Sequence, residues 1–349
     1  MTAHAHSRLS LARTLKLHQL AVFEKVVEAG SIVAASRELA MTQPAVTKSI
    51  HELERHLGEP LFERGKRGVS LTTFGTTFEH HAKSMLAELR RLADDLDSWH
   101  TGASGQVVVG TLLTASTTLL PEAIARLRDT APDVGVEVSV GTNASLFPVL
   151  ASGELDIVVG FLPALGDLPA PRGYDRARLT HVKLYDEALC AVVGRHHPML
   201  RRRSLSLRDL QALKWIIPTP DSVAYGTACA MFDAEGLALP SRAVYSVSIL
   251  TNIGLLTRRP MVALMPRSAI EPFVEAGAVS LLSLGALGCF GTVGYTVRAD
   301  RDHGGALQRF LTALQEASQE ASRYAGGDVA ARAPRRGTGK RLPRDPAPP

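Results

Sequence analysis

The chain has 349 residues, 45% of them hydrophobic, and a formal net charge of +5, so two or three domains with sizeable cores are expected. Most of that charge lies in residues 325–349, where six basic side chains face two acidic ones, so bulk charge does not argue for a nucleic-acid partner. The sequence has no apolar run of about eighteen residues, no apolar signal-peptide core and only three scattered cysteines, which favours a reducing cytoplasm over a membrane or secreted setting.

The first organised stretch predicts three short helices around one small core. Apolar residues at helical spacing mark a helix near residues 17–27, and Gly30 ends it. Ser31 and Thr42 are N-cap residue types that begin the next two helices, and Pro44 suits the first turn of the third. The apolar stripe of that third helix is Val46, Ile50, Leu53 and Leu57.

The opposite face of the third helix carries side chains suited to DNA. A helix-turn-helix places the first residues of its recognition helix against base edges in the major groove, where Gln pairs with adenine and Lys with guanine or phosphate. An ordinary helical hairpin with a solvated face is the alternative. The predicted DNA contacts are Ser31 and Ser36 beside phosphates, and Thr42, Gln43, Pro44, Thr47 and Lys48 on the recognition helix.

A basic hairpin is predicted directly after these helices. Two short apolar runs flank the stretch 64–68, which contains Arg64, Lys66 and Arg67. Such a wing reaches the DNA backbone or minor groove, so these three residues complete the predicted interface. The winged helix-turn-helix is expected to span 15–73, after a flexible leader at 1–14.

A long linker helix is predicted over 74–100. Its apolar residues recur at alternating spacings of four and three, which is a heptad seam. The seam consists of Phe78, Ala82, Met85, Leu89, Leu92, Leu96 and Trp99. One narrow seam needs a partner, and we expect the same helix of a second subunit; packing on the chain's own C-terminal part is the alternative. A dimer would read an inverted repeat with half-sites about one helical turn apart.

From residue 101 the pattern changes to Val- and Ile-rich strands that alternate with helices. This pattern predicts an α/β domain over 101–324 with a parallel sheet covered on both faces. One lobe is expected over about 106–180 and 281–324, and a second lobe over about 181–280. Residues 325–349 are rich in Gly, Pro, Ala and Arg without periodicity, which predicts a disordered basic tail.

A small ligand is expected at the strand ends of this domain. In α/β sheets ligands bind beyond the carboxyl ends of strands, beside helix N-termini. Hydroxyls and free backbone N–H groups at such places suit a carboxylate or sulfonate, so the predicted effector is a small organic anion. The predicted effector-binding residues are Leu113, Thr114, Thr142, Phe161, Thr219 and Ser248.

No catalytic site, cofactor site or metal site is predicted. His51 and His56 are five residues apart on a helix, so they diverge and cannot share a metal as the two histidines of H-E-x-x-H do. The sequence contains no G-x-S-x-G elbow and no P-loop spacing. An enzyme joined to a DNA-binding domain would therefore lack its catalytic residues.

Taken together, the motifs of the N-terminal part resemble the LysR-type transcriptional regulators. The matching segments are Leu17–Phe23, Gly30–Ser31, Ala34–Ala35, Leu39, Thr42–Lys48, Leu53–Glu54, Leu57–Gly58, Pro60–Phe62, Arg64 and Leu71–Gly75. The resemblance continues more weakly to about residue 320. It implies a winged helix-turn-helix, a long linker helix that pairs in a dimer, and a two-lobed effector domain like a periplasmic binding protein. One departure is Leu112-Leu113, where some relatives have a small polar residue.

The resemblance also implies a function. The chain is expected to be a cytoplasmic activator that binds double-stranded DNA at inverted repeats, as a homodimer or homotetramer, and acts on RNA polymerase. Residues 66–75 look most like regulators of aromatic-acid, sulfonate or sugar catabolism, so the expected target is a catabolic operon. A DNA-binding regulator without a small-molecule effector, controlled by protein partners, is the alternative.

Overall fold

The structure is a computed structural model that describes residues 11, 13–65, 68–101, 105–163, 178–202, 204–220, 222–284, 289–299 and 304–325. Most of the predicted leader and residues 326–349 of the predicted tail therefore lie outside the described residues. The N-terminal part consists of helices α1 (Leu17–Ala29), α2 (Ile32–Glu38) and α3 (Gln43–Leu57), strands β1 (Phe62–Gly65) and β2 (Gly68–Leu71), and the long helix α4 (Thr73–Thr101).

Local sequence signals set the ends of the first three helices. Ser31 and Thr42 each accept a backbone N–H from the third residue after them, at 3.4 Å, and so cap α2 and α3. Gly30 and Gly58 end α1 and α3 with φ angles of 60° and 77°, a left-handed conformation that glycine adopts without a Cβ clash. The helix-turn-helix bounds thus follow from four residues.

One apolar core joins these helices to the hairpin and to the start of α4. The Phe23 ring of α1 lies 5.3 Å from that of Phe62 in β1 and 5.1 Å from that of Phe78 in α4, measured between ring centroids. Because Phe23 is fully buried between them, the wing and the linker helix are fixed to the same core. The other buried members are Leu20, Val22, Val26, Ala35, Val46, Ile50, Leu53, Leu57, Leu61 and Ala82.

The chain divides into two compact units. The first contains Met1–Asp186 and Gly291–Ser322, so it holds the N-terminal part and one α/β lobe, which we call lobe I (105–186 and 291–322). The second contains Glu187–Phe290, which we call lobe II. Both boundaries of the segment Glu187–Phe290 fall inside a strand, so each of these two strands contributes to both units.

Lobe I is built on a mixed sheet in the order β4-β3-β5-β11-β6. Strands β3, β4 and β5 are parallel, whereas β11 pairs antiparallel with β5. Its elements are β3 (Gly105–Thr111), α5 (Leu119–Thr130), β4 (Val134–Val140), α6 (Asn143–Ser152), β5 (Ile157–Phe161), the first half of β6 (Leu179–Gly194), β11 (Cys289–Arg298) and α11 (Gly305–Ala325).

Lobe II repeats this plan with the second half of β6. Strand β9 pairs antiparallel with β6 and parallel with β7, β8 pairs parallel with β7, and β10 pairs antiparallel with β6. Its further elements are α7 (Leu207–Leu210), β7 (Lys214–Ile217), α8 (Val223–Ala234), β8 (Val244–Tyr245), α9 (Ile249–Leu256), β9 (Met261–Pro266), α10 (Arg267–Glu275) and β10 (Val279–Leu281).

The expectation of an all-parallel sheet is wrong, because β6, β10 and β11 run antiparallel to their neighbours β9, β6 and β5. Apolar runs of Val and Ile report burial on both faces of a strand but not its direction. Helices α7, α9 and α10 were also not predicted. Helix α9 is short and mostly apolar, so it resembles a buried strand in sequence, and α10 contains Pro272, which weakens a helix prediction.

Candidate functional site

Helix α3 presents an exposed polar face above the buried core. Thr42, Gln43 and Pro44 are exposed at its N-terminus, and Thr47 is half-buried one turn further on. The Lys48 side chain is 80% exposed, and its Nζ lies 4.0 Å from a carboxylate oxygen of Glu52. A helix N-terminus carries a partial positive charge, so this end of α3 combines hydrogen-bonding groups, a cation and a favourable dipole for a polyanion.

Two further side chains extend this face. His51 and Arg55 are exposed and follow Lys48 at spacings of three and seven residues, so they lie along one side of α3. Arg55 was not among the predicted contacts. The signal that could have found it is its helical spacing from Lys48.

The two serines predicted beside phosphates have other partners. Ser31 is half-buried, and its hydroxyl accepts the N–H of Ala34 as the cap of α2. Ser36 is buried, and its hydroxyl donates to the carbonyl of Val33 at 2.9 Å. The Ser36 hydroxyl therefore has a partner inside the domain, and its phosphate contact stays a prediction.

The wing lies beside the start of α2. The N–H of Val69 donates to the carbonyl of Gly30 at 3.1 Å, and a Cβ on Gly68 would come within 2.4 Å of that same carbonyl oxygen. Glycine at position 68 therefore permits the wing to dock. Lys66 and Arg67 lie outside the described residues, as does the side chain of Arg64, whose backbone belongs to β1.

The linker helix α4 is clamped to lobe I by Arg91. Its Nε and Nη2 donate to one oxygen of Asp156 at 3.0 and 2.7 Å, and Nη2 also donates to the carbonyl of Gly153 at 2.8 Å. The other oxygen of Asp156 accepts the N–H of Val108 at 2.8 Å. Both side chains are less than a quarter exposed, so this forked pair is only weakly screened.

Lys83 makes a second ionic contact between α4 and lobe I. Its Nζ lies 3.2 Å from Glu79 on the same helix and 3.7 Å from Glu154 of lobe I. Burial of Lys83 opposes its charge, but the carboxylates of Glu154 and Glu79 outweigh burial and raise the pKa of Lys83. The long helix α4 is thus held to lobe I at two places.

The carboxyl ends of β3, β4 and β5 share one edge of lobe I, where the predicted effector-binding residues of that lobe lie. Leu113 is exposed, and the Thr114 hydroxyl oxygen is buried without a hydrogen-bond partner in the part of the chain that the structure describes. Thr142 uses its hydroxyl to cap α6. Asn143 donates from Nδ2 to the carbonyl of Phe161 at 3.4 Å, and its buried Oδ1 has no partner among the described residues.

Lobe II has a comparable edge where β7 and β8 end. The Thr219 carbonyl accepts both the N–H and the hydroxyl of Ser222, at 2.9 and 2.6 Å, so helix α8 begins without a side-chain cap. Ser248 caps α9 through its hydroxyl. The buried Asn252 donates to the carbonyl of Ser246 at 3.4 Å, and its Oδ1 has no partner within the described ranges.

The N-terminus of α10, at the end of β9, is already occupied by a carboxylate of the protein. Glu187 is fully buried and accepts the N–H of Ser268 at 3.1 Å and also its hydroxyl. Burial raises the pKa of Glu187, and the hydrogen bonds from Ser268 counteract that rise. In lobe II, α8 therefore offers the less encumbered N-terminus for an anionic ligand.

Comparison with known proteins decides the family. Residues 17–76 match the family described as bacterial regulatory helix-turn-helix protein, lysR family, and residues 100–319 match the LysR substrate binding domain. The chain belongs to the LysR family. It is a LysR-type transcriptional regulator, with a helix-turn-helix domain and a two-lobed substrate-binding domain, and not an enzyme.

Individual relatives cover nearly the whole chain. The HTH-type transcriptional regulator PcaQ of Agrobacterium fabrum is 31% identical over 307 residues, which are 88% of this chain and 96% of that protein. The regulator GbpR of Azospirillum brasilense is 28% identical over 316 residues, 90% of each chain. The structure of CbnR, a LysR family transcriptional regulator, matches with a TM-score of 0.63 at 19% identity, covers 87% of this chain and 99% of that one, and supports the fold alone.

The predicted site residues of this LysR regulator have different surroundings. Gln43, Pro44 and Lys48 are exposed on α3, and Leu113 is exposed after β3. Local backbone groups bond to the hydroxyls of Ser31, Ser36, Thr42, Thr142 and Ser248, and the carbonyls of Phe161 and Thr219 accept local hydrogen bonds. Lys66, Arg67 and the Arg64 side chain lie outside the description. Sequence reasoning did not single out Asn252 or Arg55 as site residues.

No helix of the described chain is long and apolar enough to cross a membrane.

Proposed function

We propose that this LysR regulator reads inverted-repeat DNA as a cytoplasmic homodimer or homotetramer and that a small organic acid controls it. The observation that carries the DNA-binding half is the exposed N-terminal face of α3, with Gln43 and Lys48 held above a closed core by the caps of α2 and α3. The Gln43 amide can pair with a base edge in the major groove, and a DNA phosphate can accept a hydrogen bond from Lys48. The wing residues Arg64, Lys66 and Arg67 are proposed to add backbone contacts.

The chemistry of the strand ends refines the proposed effector. Each lobe places an asparagine whose Oδ1 accepts no hydrogen bond from the described residues, Asn143 in lobe I and Asn252 in lobe II. A buried acceptor without a hydrogen-bond donor costs folding free energy, so a ligand hydroxyl that donates to either Oδ1 would remove that cost. The uncapped N-terminus of α8 suits an anionic group. A hydroxyl-bearing carboxylic acid, such as a sugar acid or a hydroxylated aromatic acid, would match the two features that lobe II itself offers, the Asn252 acceptor and the α8 N-terminus.

The proposed biological role is control of a catabolic operon as an activator that acts on RNA polymerase. Support comes from the subgroup resemblance of residues 66–75 and from a domain family described by its substrate binding. The alternative, a regulator controlled only by protein partners, has no specific observation in its favour.

A footprinting experiment tests both halves of the proposal. The purified protein is added to DNA from upstream of its own gene and its neighbours, with and without hydroxylated aromatic and sugar acids. We expect protection of an inverted repeat whose extent changes with one acid. Protection that no compound changes would contradict the effector, and absence of protection would contradict the DNA-binding assignment.

A ligand screen by thermal melting tests the chemical class separately. We expect a hydroxy acid to raise the melting temperature, because a ligand that binds only the folded state stabilises it. The corresponding acid without its hydroxyl should raise the melting temperature less, since it leaves the Asn252 acceptor unpaired. A larger shift with neutral sugars than with any acid would contradict an anionic effector.

A further inference from the structure

Lobe II contains a pocket of about 550 Å³ that the proposed effector site does not include. Three turns form it, and they follow β6, α9 and α10. Its principal lining residues are Arg195, His196, His197, Arg258, Arg259 and Gly277.

The pocket lies at the opposite edge of the lobe II sheet from Thr219 and Ser248. Strands β7 and β9 are parallel, and Lys214 at the start of β7 is aligned with Met261 at the start of β9. The pocket residue Pro260 directly precedes β9, whereas Thr219 follows the end of β7. Strand β7 has four residues, so at least about 10 Å separates the two edges.

The pocket is strongly basic. It is lined by three arginines and no carboxylate, and no ion pair of these arginines occurs among the described residues. Arg258 donates to the carbonyl of Gly254 at 2.8 Å, and Arg195 donates to the ring Nε2 of His196 at 2.8 Å. The C-terminal ends of α9 and α10 supply partial negative charge of about one unit together, which leaves an excess of positive charge for a ligand.

The buried His197 adds an unsatisfied donor to the same pocket. It is 6% exposed, and its Nδ1 accepts the N–H of Met199 at 3.3 Å. Burial lowers the pKa of His197, which favours the neutral ring, and the acceptor role of Nδ1 then assigns the proton to Nε2. This Nε2 is buried without a partner within the described part of the chain. A ligand oxygen would satisfy it.

We propose that this pocket binds a small, multiply charged oxyanion of the phosphate or polycarboxylate class at a second site of the regulator. Guanidinium groups form forked, charge-assisted hydrogen bonds with such oxygens, and a neutral imidazole N–H donates to them as well. The cavity volume lies within the range of small-molecule sites. The site does not depend on the proposed effector, because it uses none of the strand-end residues.

Calorimetry on the full-length protein tests this second site, with pyrophosphate and citrate as probes at constant ionic strength. We expect saturable binding of at least one probe with a stoichiometry of one per chain. Which probe binds more tightly distinguishes phosphate from carboxylate chemistry. The variants Arg195→Ala and Arg259→Ala should each weaken this binding by about tenfold or more, the effect of one lost charge-assisted hydrogen bond.

The matched control is Arg242→Ala, which removes an exposed arginine of lobe II that does not line the pocket. It should leave the dissociation constant within about twofold, and equal melting temperatures of all variants verify folding. Equal weakening by Arg242→Ala and Arg259→Ala would mean attraction to general charge and would overturn the site. Absence of saturable binding of either probe to the wild-type protein would overturn it too.

Discussion

Gln43 is the residue for which the interface makes the sharpest prediction. It is exposed at the first position of α3, where a recognition helix meets base edges. Gln43→Ala should weaken binding to the specific inverted repeat by about 1–3 kcal/mol and leave binding to random DNA unchanged, because a base contact carries sequence information. Fluorescence anisotropy with labelled specific and scrambled duplexes measures both affinities.

Lys48→Ala is the matched control for this measurement. The Lys48 side chain is 80% exposed, so its substitution should not disturb the core. Loss of a phosphate contact should weaken specific and random DNA alike and lower the slope of log affinity against log salt by about one. Equal losses on both duplexes for Gln43→Ala would contradict base reading by Gln43.

The turn of the helix-turn-helix contains a strained residue. Ala40 has a φ angle of 51°, and among the described residues it is the one position other than glycine with a positive φ. It holds the turn in which the N–H of Met41 donates to the carbonyl of Ser36 at 2.9 Å. Because the left-handed conformation costs a residue with a Cβ about 1–2 kcal/mol, Ala40→Gly should raise the free energy of unfolding by about 0.5 kcal/mol.

Denaturant unfolding followed by circular dichroism measures this gain. Ala45→Gly, in the first turn of α3, serves as the comparison and should lose about 0.5–1 kcal/mol, since glycine weakens a helix. A loss at Ala40 as large as the loss at Ala45 would show that residue 40 does not need the left-handed conformation.

Small hydroxyl side chains show how far residue-level prediction reaches. The positions of Ser31, Thr42, Thr142 and Ser248 were predicted from their place before a helix or after a strand, and the structure puts each at a helix N-terminus. The same local spacing cannot decide between a capping role and a ligand contact, because both need the same oxygen. Whether the Asn252 Oδ1 has a hydrogen-bond partner depends on its tertiary neighbours, so no pattern in the sequence could predict it.

At the scale of elements, the Arg91–Asp156 pair is predicted to hold α4 against lobe I. Arg91→Ala should lower the free energy of unfolding by about 2 kcal/mol, because it leaves the Asp156 carboxylate without its forked partner. Asp156 also precedes β5, and α6 runs from Asn143 to Ser152 just before it. The clamp and the predicted effector-binding residue Thr142 thus lie at opposite ends of α6, and Arg91→Ala should also reduce the effect of an effector on DNA affinity.

A double-mutant cycle isolates this pair. Asp156→Asn and Arg91→Ala should couple by about 1–2 kcal/mol in denaturant unfolding. Arg90→Ala is the control, because exposed Arg90 has one hydrogen-bond partner among the described residues, the carbonyl of Glu154, and its loss should cost about 0.5 kcal/mol or less. Additive losses at Arg91 and Asp156 would contradict a direct ionic clamp.

The elements themselves were largely predictable from sequence. Strands β4 and β7 and helices α1 to α4 have caps, glycine stops or apolar periods that set their bounds to within a few residues. The antiparallel direction of β6 and β11 was not predictable, because it depends on how the chain passes between two units rather than on local pattern. The direction of these strands is known only from their hydrogen-bonded pairing with strands that are distant in the sequence.

At the scale of the whole molecule, the two parts of the α4 heptad seam differ in their burial. Phe78, Ala82 and Met85 pack on the core of the DNA-binding domain, so the first part of the seam is used within the chain. Leu92 and Leu96 are each 54% exposed, and the side chain of Trp99 lies outside the description. Large apolar side chains exposed one heptad step apart are typical of a helix that pairs with another helix. The second part of the seam therefore remains the proposed dimer contact.

The variant Leu92→Glu/Leu96→Glu tests whether the exposed part of the seam builds the dimer. Two like charges on each facing helix should repel and lose the apolar burial, so we expect sedimentation to show a shift from dimer or tetramer toward monomer. Binding to an inverted repeat should then fall by about 100-fold or more, because the two half-sites would be bound independently rather than by linked domains. Affinity for a single half-site should be unchanged, since α3 is untouched. Arg90→Glu, an exposed charge change on the same helix outside the seam, is the control for α4. An oligomer that persists in the double variant, with full affinity for the repeat, would contradict pairing through α4 and direct attention to the effector lobes as the site of assembly.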